Sequence, residues 1–222
     1  MFGIDGTRKG WIVANYRDQV LNIKFIDQVS ELDIKRALID MPIGLPEQEI
    51  RESDKKARKI LSPYRHYSIF NTPIRKAVYA EDYEQACRIQ EEKTGKRISK
   101  QTWNIVPKIR EVDQFLSQNK LIKLHESHPE IIFKQLGGNK VIKPSKHTKK
   151  GLKKRIQTIT KNTILKEKEI QKAIRKTQGK KDDIIDAIVL SIAGKYELTS
   201  IGKGKDQKKQ QKRHKNTKKT NK

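Results

Sequence analysis

The chain has 222 residues, enough for one domain or at most two with a sizeable core. It carries 51 Lys and Arg against 26 Asp and Glu, a formal net charge of +25, with only 34% hydrophobic residues. That excess favours polyanionic partners such as nucleic acid or an acidic membrane surface. A single cysteine, Cys87, excludes an internal disulfide scaffold and favours a reduced, cytoplasmic setting. No apolar run approaches the roughly 18 residues of a bilayer span, and the opening Met1-Phe2-Gly3-Ile4-Asp5 lacks the basic and apolar regions of a signal peptide.

Residues 2–5, 11–16 and 20–27 are short apolar-rich runs separated by turn signals, which predicts a meander of three antiparallel strands. Residues 37–41 form a continuous apolar run broken only by Asp40, as expected of a strand covered on both faces, and Pro42 and Pro46 close it. Helices are predicted over 47–61, 82–93 and, following Pro107, 108–116. A strand over 121–126 comes next, then a helix from Pro129 to Leu136 that Gly137-Gly138 ends. The apolar spacing of Leu152, Ile156, Ile159, Thr163, Ile164, Ile170 and Ile174 predicts amphipathic helix with a basic outer face. A last, strongly apolar helix spans 182–196, with Asp182 or Asp183 near its N-cap. The pattern is an α/β sheet domain with a helical insertion, about residues 47–118, between its fourth and fifth strands.

The positive charge is concentrated. Residues 1–133 carry a net of only +4, residues 134–181 a net of +15, and residues 203–222 a net of +9, while 182–202 is net acidic. The stretch from Gly202 to Lys222 has no apolar residue and reads as a disordered tail, either a solubilising device or a phosphate-binding arm, so the domain is expected to end at 201.

Against this background, several acids stand in apolar company. Asp5 ends the first strand, Asp40 interrupts the fourth, and Glu126 shares strand parity with Ile122 and Leu124. Asp183 and Asp186 lie three apart, hence on one side of the last helix. A buried lone carboxylate is costly, and its usual remedies are a proton, a partner cation or a metal. Each acid also has an ordinary use as a turn, cap or first-turn helix residue. Together, five acids at strand ends and a helix start form a hard-oxygen set suited to Mg²⁺ or Mn²⁺ rather than zinc, with two ions supporting phosphodiester hydrolysis.

The motifs Gly3-Ile4-Asp5-Gly6, Gly10-Trp11 and Ile39-Asp40-Met41-Pro42-Ile43-Gly44-Leu45-Pro46 resemble those of an uncharacterised-domain family of predicted ribonuclease H-like nucleases. The likeness continues in Arg51-x-x-Asp54-x-x-x-Arg58, Ser68-Ile69-Phe70-x-x-Pro73-x-Arg75 and His125-Glu126-Ser127-His128-Pro129-Glu130. It extends through Lys146-His147-Thr148-x-x-Gly151-x-x-x-Arg155 to Asp182-Asp183-Ile184-Ile185-Asp186-Ala187, a helix motif also similar to that of Holliday-junction resolvases. The resemblance covers about residues 2–195 and implies a ribonuclease H-like mixed five-stranded sheet of order 3-2-1-4-5. Asp5 and Asp40 would then be neighbours, with Asp183 and Asp186 brought across to them. Either Asp40 or Glu126 fills the second carboxylate position.

Arg51, Arg58, Arg75, Lys146 and Arg155 are candidates for phosphate contacts, the alternative being solvated helix-face charge. Gln101 and Trp103, in the polar insertion, could hydrogen-bond or stack on a base, although Trp103 also suits a local core. The pair His125 and His128 has the wrong spacing for a helical zinc site, and His128-Pro129 suits a strand-to-helix turn. The expected activity is metal-dependent nucleic-acid hydrolysis, DNA or RNA. Resolvase-like action would need two active sites and hence a homodimer. A catalytically silent nucleic-acid-binding protein and an ATP-binding actin-like or sugar-kinase-like phosphotransferase are the rival readings.

Overall fold

The computed structural model describes residues 1–194. Strands β1 (Phe2–Gly6), β2 (Trp11–Arg17) and β3 (Val20–Ile26) form the antiparallel meander. Strand β4 (Arg36–Ile39) then pairs parallel to β1, and β5 (Lys123–Glu126) parallel to β4. The sheet order is β3-β2-β1-β4-β5, the order implied by the resemblance. The segment between β4 and β5 holds helices α1 (Glu52–Leu61), α2 (Arg75–Val78), α3 (Tyr83–Thr94) and α4 (Lys100–Gln118). After β5 come α5 (Pro129–Leu136), α6 (Lys149–Asn162), α7 (Glu167–Lys176) and α8 (Lys181–Ala193). The basic tail and the domain limit at 201 lie outside the described residues. No helix among the described residues is long and apolar enough to cross a membrane.

Side chains alternate across each strand, so the sheet buries two separate cores. On one face Ile12, Ala14, Tyr16 and Leu38 pack against α5 to α8, and on the other Ile4, Trp11, Val13, Ala37, Ile39 and Leu124 pack against α4. Helix α8 is apolar almost all round because it lies directly on β1 and β2. Gly3 makes that approach possible: a Cβ there would sit 2.2 Å from the Ala187 carbonyl oxygen and 2.3 Å from the Ser191 nitrogen.

Three predicted elements change on folding. Helix α1 begins at Glu52 rather than Glu47, because Arg51 adopts extended backbone and Arg75 N–H donates to the Pro46 carbonyl at 2.7 Å, keeping the preceding segment non-helical. Helix α4 runs through Pro107, from a Ser99 cap whose Oγ accepts from Thr102 N at 3.0 Å. A proline inside a helix costs roughly 3 kcal/mol, and here the buried stripe of Val106, Ile109, Val112 and Phe115 offsets it. The apolar pattern of 152–174 is two helices. Thr163 donates to the Ile159 carbonyl and accepts from Leu165 N, closing α6, so Leu165 is buried and Ile164 is exposed.

Candidate metal centre

The register of the parallel strands assembles the site. Ile4 pairs with Ile39, and Asp40 N donates to the Ile4 carbonyl at 2.9 Å, which sets Asp5 and Asp40 side by side where β1 and β4 end. Both point away from the face of Ile4 and Ile39, toward α8. Asp186, immediately before the Ala187 and Leu190 contacts with Gly3 of β1, reaches the same place. Asp5, Asp40 and Asp186 each present a carboxylate oxygen, and these oxygens lie within 4.8 Å of one another, close enough to hold a metal ion. Asp5 and Asp186 are buried, while Asp40 keeps 29% of its side chain exposed, which opens the group to solvent.

The fourth member is a cation. Lys146 Nζ lies 2.6 Å from Asp186 Oδ2. The loop that carries it folds tightly onto the start of α6, where Thr148 Oγ1 accepts from Gly151 N. A Cβ at Gly151 would collide with the Ser145 carbonyl oxygen at 1.8 Å, so the fold of the Lys146 loop requires that glycine. Burial alone would lower the Lys146 ammonium, but Asp186, then Asp5 and Asp40, hold its pKa well above the ordinary lysine range.

One ammonium does not balance three carboxylates. Burial, reinforced by Asp40 and Asp186, raises Asp5 well above the ordinary carboxylate range. Burial also pushes Asp186 up to about 7, against the opposing pull of Lys146. Asp183 stands one turn earlier on α8, outside the close group but near enough to raise Asp5; burial and the adjacent Asp182 push Asp183 itself up to about 6. Asp182 is engaged elsewhere, 3.1 Å from His147 Nδ1.

Glu126 is not part of the close group, and the reason is parity. It pairs in register with Ile39, one residue short of Asp40, and so points to the opposite face of the sheet. There it is held by the Ile43 N–H at 2.9 Å and by both terminal nitrogens of Arg51, at 2.6 and 2.7 Å. Arg51 also binds Asp54, whose second oxygen accepts from Thr72 N at 2.7 Å. His128 bridges the two faces at the sheet edge, its ring nitrogens 3.6 Å from Asp40 Oδ1 and Glu126 Oε1. Burial works to lower His128, yet the Asp40 and Glu126 carboxylates outweigh it and raise its pKa. Sequence reasoning treated His128 as a turn former; only the strand pairing reveals its position between two acids.

The five basic residues singled out for phosphate contacts divide. Lys146 is in the acidic centre. Arg51 is spent on Glu126 and Asp54, and Arg75 is paired with Asp113 at 2.5 Å and with Glu47 at 3.3 Å. Arg155 is wholly buried and meets Glu130 at 2.5 Å, so its guanidinium serves the interior rather than a surface phosphate. Arg58 donates to the Ile69 carbonyl beside an open groove of the insertion.

A mixed five-stranded sheet flanked by helices, with three carboxylates gathered where its two central parallel strands end, defines an α/β domain with a candidate cation centre. The chain belongs to the family described as protein of unknown function DUF429, whose model matches residues 3–205. No curated protein and no solved structure matches the chain.

Proposed function

We propose that this protein is a metal-dependent nuclease that hydrolyses phosphodiester bonds of nucleic acid in the cytoplasm. The observation that carries the reading is the gathering of Asp5, Asp40 and Asp186 with a deficit of positive charge. The donors are all hard carboxylate oxygens, which fit Mg²⁺ or Mn²⁺ and argue against zinc. These three residues would hold the metal, with Asp183 one turn away to serve a second ion; such ions activate water and neutralise charge on the scissile phosphate. The ribonuclease H-like sheet order and the basic composition support the same reading.

The chain's own residues have defined tasks in it. Asp5 and Asp40, fixed by strand register, set the position of the centre, and Asp186 closes it from α8. His128 steadies the half-exposed Asp40 through its 3.6 Å contact. Lys146 offers an ammonium to a non-bridging phosphate oxygen once Asp186 is otherwise neutralised. The +15 block of residues 134–181 supplies diffuse attraction for the backbone of the substrate.

The test is a cleavage assay on labelled single-stranded, duplex, hybrid and branched substrates in Mg²⁺, Mn²⁺ and chelator. Metal-dependent cleavage should fall by about 10³-fold in Asp5→Asn and Asp186→Asn, the loss expected when several kcal/mol of transition-state stabilisation is removed. Cleavage that survives both substitutions overturns the reading. Binding without cleavage in any metal would make the protein a silent nucleic-acid binder, and ATP hydrolysis alone would favour the kinase-like branch.

A further inference from the structure

A second feature of the insertion is unused by the acidic centre. Residues 67–71, after α1, and residues 94–102, from the end of α3 into the first turn of α4, face each other across a groove of about 270 Å³. Its lining includes Arg58, Lys96 and Arg97 and no carboxylate. Glu84 is at its rim, pairing with Arg97 at 2.6 Å, an exposed contact that leaves the net potential positive. Asn71 and Gln101 add amide groups that can both donate and accept.

Tyr67 stands at the same groove with 61% of its surface exposed. An exposed tyrosine is usually mobile, but this one is fixed from behind. The buried Arg65 donates to its hydroxyl at 2.8 Å and lies 5.2 Å from its ring centre, while Arg65 itself is anchored to Glu130. A rigid aromatic surface, flanking cations and amide groups form the combination by which proteins hold unpaired bases: stacking on the ring, phosphate on the cations, base edges on the amides. At 270 Å³ the groove has the scale of one small ligand, not of a duplex.

The groove also connects to the acidic centre. Asn71 precedes Thr72, whose N–H binds Asp54; Asp54 binds Arg51, Arg51 binds Glu126, and His128 links Glu126 to Asp40. We propose that this groove seats an unpaired nucleotide of a single-stranded substrate, with Tyr67 as its stacking surface and Lys96 and Arg97 as its phosphate contacts. The proposal rests on the nuclease reading for its substrate class, but its test does not use cleavage.

The experiment is fluorescence anisotropy with the full chain in chelator at about 150 mM salt, using fluorescein-labelled single-stranded and duplex oligonucleotides of one length. Tyr67→Ala should weaken single-strand binding about tenfold, as expected for one lost base stack. Tyr67→Trp should restore it, and the duplex should shift less than twofold. Lys96→Ala with Arg97→Ala, both at exposed positions, should also weaken single-strand binding and flatten its salt dependence. Single-strand affinity unchanged in both groove variants, or an equal loss for duplex, overturns the proposal. Absence of cleavage with these binding effects intact would overturn the nuclease reading and leave the groove standing.

Discussion

Two buried charge clusters lie on the same side of the sheet and are built on opposite arithmetic. In one, three carboxylates, Asp5, Asp40 and Asp186, share among the described residues the ammonium of Lys146. In the other, one carboxylate, Glu130, is gripped by two guanidinium groups, Arg155 at 2.5 Å and Arg65 at 3.1 Å. The second cluster is a closed internal tie joining α5, α6 and the loop after α1, and every charge in it has an opposite neighbour. The first is left with a surplus of negative charge at a partly open edge. Burial of charge alone therefore does not mark a functional site. Surplus negative charge at a partly open edge, which the net-positive Glu130 tie does not have, is what an added cation can satisfy.

The comparison predicts stability effects of opposite sign. Glu130→Ala strands two buried guanidinium groups and should cost about 3–5 kcal/mol, the range for removing one partner of a buried pair. Asp5→Asn, in chelator, removes one of the crowded acids and should leave stability unchanged or raised. Urea unfolding of both variants, followed by circular dichroism, checks this. If Asp5→Asn is as costly as Glu130→Ala, the acidic cluster is a structural tie like its neighbour and the distinction fails.

The pH dependence gives a second, smaller separation. Asp186 holds its proton to about pH 7 and Asp183 to about pH 6, each against an ordinary 3.8, and Asp5 is raised in the same direction. Between about pH 4 and pH 7 the folded chain thus binds more protons than the unfolded one, so stability of the metal-free protein falls as pH rises through that window. The raised His128 adds a loss of the same sign that begins only above about pH 6.5. At about 1.4 kcal/mol per pH unit, Asp186 alone makes the expected decline roughly 4 kcal/mol, and the other groups add to it. Saturating Mg²⁺ or Mn²⁺ should flatten it by binding the ionised acids. Denaturation midpoints at four pH values, with chelator and with metal, measure both slopes. A flat metal-free profile would mean that Lys146 already balances the cluster.

Much of this was legible in the residues. Short apolar-rich runs between turn signals marked the three-stranded meander, and the apolar run 37–41 marked the fourth strand, although that strand ends at Ile39 and leaves Asp40 just beyond it; Asp186 before Ala187-Ile188-Val189-Leu190 marked the packed face of the last helix. The choice between Asp40 and Glu126 was not legible, because parity within β5 cannot say which residue of β4 lies opposite; that depends on inter-strand register. Glu126 does share the buried face of Leu124, as its parity required, but that face is the one α8 does not cover. The role of Arg155 was equally hidden. Its 3.6-residue spacing is compatible with either a solvent-facing or a core-facing position, and only the docking of α6 beside α5 turns it toward Glu130. Tyr67 carried no local signal, since its fixed pose depends on Arg65 being held by a residue 65 positions away.

The smallest expected effect concerns Lys146, a cation that the acidic centre already holds. Lys146→Met keeps the aliphatic stem and deletes the ammonium that lies 2.6 Å from Asp186. If Lys146 stands in for part of the metal's charge, its loss should tighten Mn²⁺ binding by about tenfold, because a repelling unit charge several ångströms away has been removed. Metal-free stability should drop by roughly 1 kcal/mol, since the side chain is a quarter exposed and solvent screens the pair. Isothermal titration calorimetry with Mn²⁺ on the parent and Lys146→Met resolves the first, and urea unfolding in chelator the second. Weaker Mn²⁺ binding would instead show that the ammonium orients Asp186 for the metal, making the lysine part of the centre's architecture. The two outcomes separate a cation that is displaced on metal binding from one that holds the acids in place, the same difference that divides the Asp5 cluster from the Glu130 tie.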